Sequence, residues 1–240
     1  MKYFWKIIKP DLPSRDEEQK MPSPSVSEID ECLEIILEQS TIDAGVLSEI
    51  LFPKMPDRKE SIFISHSHAY VNDALVLKKY FTSKGISCFV DGEVWANVYY
   101  ILKVFQTKFA ECLGENTYSL SDCNMHAAHM YLMLATALMR EINQAGAFLY
   151  LGTGMSKDKL NSPWLHYELS LASSLKKAGD KVKQGMLLEN FSKLASVQFK
   201  YMVGELLSEA TELTKRALDR IGRHENISLD RIDTIAKLYA

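Results

Sequence analysis

The sequence has little of what usually marks a chain's class. Its 240 residues hold four cysteines, at 32, 88, 112 and 123, and no C-x-x-C pair. That spacing fits neither a zinc site nor a disulfide scaffold, so free thiols in a reducing, cytoplasmic setting are expected. Positive charge is not in excess: 28 Lys and Arg stand against 31 Asp and Glu, a net charge of -3. Without a bulk positive field, neither nucleic acid nor an anionic membrane is an expected partner. Long hydrophobic runs are missing too. The most apolar stretch, 131–151, is broken by Arg140, Glu141 and Asn143, which excludes an ordinary membrane span there. Phe4, Trp5, Ile7 and Ile8 are interrupted by Lys6 and followed by Pro10; such a run is too short for a secretion signal. There is no G-x-x-x-x-G-K-[ST] phosphate loop and no G-x-S-x-G nucleophile elbow. Gly152-Thr153-Gly154 lacks the third glycine of a dinucleotide fingerprint and reads as a strand-end turn.

What is present is an alternation of strand and helix patterns. Residues 1–26, punctuated by Pro10, Pro13, Pro22 and Pro24, read as an extension. Residues 27–52 read as a helical arm: Ser27 and Asp30 suit a capped start, and a second short helix fits 41–51. Ile62, Phe63 and Ile64 form a short buried strand. Residues 70–84 follow at helical spacing, with Gly85 placed for a left-handed cap, and 86–90 form the next strand, closed by Asp91-Gly92. Strand, helix and strand in that order imply a parallel sheet. Residues 98–109 suit a helix, 114–122 a loop, 124–144 an amphipathic helix and 147–151 a third buried strand. Ser162-Pro163 is the clearest helix start in the chain, with Ser at the N-cap and Pro in the first turn. Residues 197–203 alternate as a strand, 206–221 fit one helix, and Ser228 caps a last one. The expected organisation is an extension and arm over 1–57, an α/β domain over 58–204 and packed C-terminal helices over 205–240.

Ligands of open parallel sheets bind beyond the carboxyl ends of the strands. The first strand ends at Ser65-His66-Ser67-His68, the second at Asp91-Gly92-Glu93 with Trp95 beyond, and the third leads into the helix that carries Glu168. These groups are expected to share one cleft. Glu168 lies four residues after Trp164, so both project from one helix face, a mostly apolar one. A carboxylate there is either an ion-pair partner at an amphipathic edge or a group held to stabilise positive charge. Trp95 has a face suited to a planar ring, and it equally suits a core. Ser65 and His66 can line a pocket or cap a loop. Asp91 can bind hydroxyls or make the turn.

F-I-S-H-S at 63–67, K-G-I-S-C-F-V-D at 84–91 and S-P-W-L-H-Y-E-L at 162–169 together resemble the TIR (Toll/interleukin-1 receptor) domain family, over roughly residues 60–180. Leu165 stands where the family has Cys, and residues 96–123 form a longer connection than usual. The resemblance implies a flavodoxin-like three-layer α/β sandwich with a central parallel sheet, here with an N-terminal helical arm and C-terminal helices. It also implies cleavage of the nicotinamide–ribose bond of NAD+, with NAD+ as substrate and no cofactor. Glu168, in W-x-x-x-E, takes the catalytic position, with Ser65, His66, Asp91, Trp95 and Trp164 around the substrate. In bacterial relatives such activity serves anti-phage defence, by NAD depletion or by a cyclic ADP-ribose signal to a downstream effector. Self-association through TIR–TIR contacts is implied too. The competing expectation is a TIR module that assembles without catalysis.

Other chemistries fit less well. His66, His68, His126 and His129 offer nitrogen ligands, but no carboxylate or Cys stands at a matching spacing, so no metal is expected. Ser65, His66 and Asp91 hold the residue types of a hydrolase triad without its elbow. The methionines of 125–139 fit a core stripe.

Overall fold

The computed structural model describes residues 1–8, 43–54, 61–95, 98–115, 117–152, 159–160, 162–178, 201–202, 204–208 and 210–239. In chain order the elements are β1 (Tyr3–Ile8), α1 (Ala44–Leu51), β2 (Ser61–His66), a 3-10 turn (His68–Tyr70), α2 (Val71–Thr82), β3 (Ser87–Phe89), α3 (Asp91–Val94), α4 (Val98–Phe109), β4 (Cys112–Gly114), β5 (Thr117–Tyr118) and α5 (Leu120–Gln144). Then come β6 (Ala147–Gly152), β7 (Lys159–Leu160), α6 (Pro163–Ala178), β8 (Tyr201–Met202), α7 (Gly204–Ser208), β9 (Thr211–Glu212), α8 (Lys215–Gly222) and α9 (Leu229–Tyr239). The chain divides into two compact units, one of residues 1–18, 57–90 and 142–240, the other of 19–56 and 91–141.

The first unit is built on a five-stranded sheet of order β3-β2-β6-β1-β9, parallel throughout. Helices cover both faces, the three-layer arrangement that a flavodoxin-like sandwich shares. One face buries Trp5, Ile7, Ile62, Ile64, Leu149 and Leu151 against α2, α8 and α9, through residues such as Leu77, Phe81, Leu218 and Ile232. The other face carries a row of phenylalanines in register. Phe63 pairs with Phe89 and with Phe148, and Phe148 pairs with Phe4. Phe63 stacks on both neighbours, at centroid distances of 5.3 and 5.6 Å, and Phe4 meets Phe148 edge-on at 5.4 Å. One alternation further along the strands the same face turns polar: Ser65, Tyr150, Lys6 and Glu212 stand in register on β2, β6, β1 and β9. Helix α6 packs over this face, against β1 and β2.

The N-terminal residues correct the sequence reading. Residues 3–8 are not part of an extension; they form the strand between β6 and β9. The physical reason is the six-residue run Y-F-W-K-I-I, aromatic and β-branched, which satisfies both faces of a buried strand. Phe4, Trp5 and Ile7 are buried. Lys6 interrupts the apolar run without breaking the strand, because its ammonium donates to the Leu207 carbonyl at 3.3 Å. The strand is further tied to α9, where Trp5 Nε1 donates to Asp233 Oδ1 at 3.1 Å.

The C-terminal segment is also corrected. The single helix expected over 206–221 is split into α7 and α8 by β9. Thr211 and Thr214 are β-branched, and the N–H of Leu213 donates to the Lys6 carbonyl at 2.9 Å. Thr214 then restarts the helix by accepting from the N–H of Ala217 at 3.3 Å. A boundary at 204/205 therefore separates β9 from its own sheet, as a boundary at 57/58 does for β1. The strand expected over 197–203 is described only at Tyr201–Met202, which pairs antiparallel with β7.

Other expectations hold in detail. Gly85 ends the α2 turn with φ +82°, a conformation that favours glycine. Ser162 accepts from the N–H of Leu165 at 3.3 Å at the start of α6, with Pro163 in the first turn. Ser228 likewise caps α9, accepting from the N–H of Arg231 at 3.3 Å. Of the helical arm over 27–52, the part before Asp43 lies outside the described residues. Among the described residues no helix is long and apolar enough to cross a membrane, and Cys88, Cys112 and Cys123 form no disulfide; Cys32 lies outside the described residues.

In the second unit, Asp43 caps α1 by accepting from the N–H groups of Gly45 and Val46, at 2.7 and 3.1 Å. Arg140 of α5 donates to the Phe52 carbonyl at 3.0 Å, at the other end of α1. The Asp91-Gly92 turn is the start of helix α3, and the loop expected over 114–122 is a β4–β5 hairpin running into α5.

Candidate functional site

At the border between β2 and β6 the chain changes direction across the sheet. From β2 it crosses to β3 on one side, and from β6 it proceeds through α6 towards β9 on the other. Such a border is where an open parallel sheet leaves a crevice at its carboxyl edge. Ser65 and His66 end β2 at this edge. Tyr150 and Gly152 end β6 beside them, in the register Ser65–Tyr150.

Glu168 reaches this position from the second turn of α6. The residue is 3% exposed, and its carboxylate accepts a hydrogen bond at 2.6 Å from the hydroxyl of Ser65, a residue 1% exposed. That length lies in the range of hydroxyl–carboxylate bonds strengthened by charge. The apolar neighbours Leu165, Leu169 and Ala172 are buried on the same helix, so the carboxylate sits in a low-dielectric setting. There its field on an adjacent cation is screened far less than in water. Trp164 lies one turn earlier on the same helix face and is half-buried. His66 is half-buried, with Nδ1 3.3 Å from the Ile64 carbonyl; the ring thus turns back along its own strand. His166, on the same helix, is held below its ordinary pKa by burial.

Asp91 and Trp95 belong to the second unit. Asp91 opens α3, and its carbonyl accepts from the N–H of Trp95 at 2.8 Å. Trp95 is 3% exposed; its ring lies edge-on to Phe52 at 5.5 Å, and Nε1 donates to the Pro53 carbonyl at 3.4 Å. The stacking platform expected at Trp95 is thus a core aromatic of its unit, held by ring packing and a hydrogen bond. His126 is a packing residue too, edge-on to Phe105 at 5.2 Å. Among the described residues no cluster of three or more His, Cys, Asp or Glu could hold a metal; the His68 side chain lies outside them.

Two further residues stand at this carboxyl edge and were not among the expected site residues. Tyr150 is 6% exposed, and its hydroxyl stays protonated to about 12 because burial, aided by Tyr70, disfavours the anion. Gly152 lies beneath its ring: a β-carbon at 152 would stand 2.4 Å from Tyr150 Cε1. The signal was present in A-F-L-Y-L-G, where Phe148, Tyr150 and Gly152 share one strand face. Ser67, two residues past Ser65, has a buried hydroxyl with no hydrogen-bond partner among the described residues.

Comparison with family models, with curated proteins and with solved structures finds no match to this chain.

Proposed function

We propose that this chain cleaves the nicotinamide–ribose bond of NAD+, with Glu168 as the carboxylate that stabilises the cation developing on the ribose. The observation that carries this reading is the buried Ser65–Glu168 pair at the carboxyl edge of β2. The TIR resemblance of 63–67, 84–91 and 162–169 supports it. Nicotinamide departs with the bonding pair as a neutral molecule, so no general acid is required. The transition state has oxocarbenium character, which a fixed carboxylate in a dry site stabilises. Water, or a hydroxyl or ring nitrogen of the same nucleotide, then adds to the cation and releases a proton where one is carried. The first route hydrolyses NAD+ and the second cyclises it. Ser65 acts through Glu168, holding the carboxylate in one rotamer. Self-assembly of several copies and signalling to a downstream effector in bacterial anti-phage defence belong to the same proposal.

The test is nicotinamide release from NAD+ by crowded, purified protein, compared with Glu168→Gln. Release by the wild type and its loss in a folded Glu168→Gln protein is the expected result.

A second reading, a non-catalytic assembly module, draws on the exposed apolar side chains of the second unit. Leu113 (62% exposed), Leu120 (74%) and Met125 (52%) suit contact with another protein surface. On this reading Glu168 only ties α6 to β2, and no nicotinamide is released under any condition.

A further inference from the structure

Tyr150 has a buried ring with its hydroxyl at the tip of β6. Ser65 pairs with it in register, so both side chains rise from the same sheet face, one strand apart. The row below is closed by Phe63 and Phe148, stacked at 5.6 Å. The ring of Tyr150 does not descend into that row. It lies along its own strand over Gly152, where an added β-carbon would be 2.7 Å from Cζ and 2.8 Å from the hydroxyl oxygen. Glycine at 152 is what lets the ring lie there, and the hydroxyl consequently stands at the carboxyl edge of the sheet. The side chain thus combines an enclosed ring with a polar tip placed at the carboxyl edge of the sheet, one strand from Ser65, and tyrosines carry such a polar handle on an apolar body.

We infer that Tyr150 reads the sugar of the bound nucleotide, its phenol donating a hydrogen bond to a ribose hydroxyl next to the bond that faces Glu168. This rests on the NAD+-cleavage reading and adds a specificity-determining residue to it. A neutral phenol suits the task. It remains a donor across the working pH range, since its ionisation is pushed up to about 12. Sites that hydrogen-bond a substrate hydroxyl discriminate strongly against molecules that cannot complete the bond.

Calorimetric titration of NAD+ into the wild type and Tyr150→Phe tests this. Phe keeps the ring and its packing and removes only the donor. Gly152→Ala gives an independent perturbation, displacing the hydroxyl without deleting it. Binding about tenfold weaker in each folded variant is expected, with KM raised and kcat nearly unchanged in Tyr150→Phe. Equal affinity in the wild type and Tyr150→Phe overturns the inference and leaves the cleavage reading standing. NAD+ that is bound tenfold more tightly by the wild type, yet not cleaved, supports this inference and contradicts cleavage. A wild type that binds no NAD+ overturns both.

Discussion

Ser65 and Glu168 lie 103 residues apart in the chain and 2.6 Å apart in space. The bond joins the end of β2 to the second turn of α6, and it satisfies one oxygen of a carboxylate that water hardly reaches. Replacing Ser65 by Ala removes the donor and leaves that oxygen underserved. A loss of about 1–3 kcal/mol is expected in urea denaturation. Glu168→Gln should cost less, because its amide oxygen still accepts from Ser65.

The phenylalanine row is expected to dominate the stability of the α6-covered face. Phe63 is its centre, stacked on Phe89 and Phe148 and fully buried. Phe63→Ala removes both ring contacts and opens a cavity that rigid neighbours cannot fill. The expected loss is about 3–5 kcal/mol; Phe4, with a single edge-on partner in the row, should cost less. Denaturant midpoints of the two variants make the comparison.

Strand β1 is predicted to be indispensable. Its Trp5 indole donates to Asp233, which also pairs with Lys237 at 2.6 Å. Asp233→Ala strands a buried N–H and should lower stability by about 1–3 kcal/mol. Deleting residues 1–8 removes the strand between β6 and β9, and the cooperative thermal transition seen by circular dichroism should disappear.

Alkaline stability provides a pH test. Tyr80, whose hydroxyl donates to the Leu218 carbonyl, and Tyr150 both have folded pKa values raised from 10.0 to about 12, chiefly by burial. The unfolded chain loses these protons first, so it binds fewer of them between pH 10 and 12. Stability from these groups is therefore complete below pH 10 and declines as pH rises towards 12. Tyr150→Phe should flatten that decline, read from denaturation midpoints at pH 9, 10 and 11.

Much of the parallel core was legible because its signals are local. Apolar runs at 62–64, 86–90 and 147–151, the Gly85 cap and the Ser162-Pro163 start each fix one element without help from distant residues. The same rule on strand ends brought Ser65 and Glu168 together. What escaped depends on partners far away in sequence. Lys6 looks like a break in an apolar run until the Leu207 carbonyl is beside it. Thr211 reads as helix until Lys6 offers a strand edge. Trp95 is read as a ligand face until Phe52 and Pro53 enclose it. Tyr150, in a buried strand, reads as core, and only its position above Gly152 sets its hydroxyl at the edge.

The most direct measurement is mass spectrometry of nucleotides after incubating NAD+ with crowded wild-type protein and with Glu168→Gln. The account predicts free nicotinamide with linear or cyclic ADP-ribose from the wild type, and at least a hundredfold less (about 2.7 kcal/mol of barrier) from a Glu168→Gln protein of native fold. Equal product from both proteins, or intact NAD+ in every assembled state of the wild type, would contradict it.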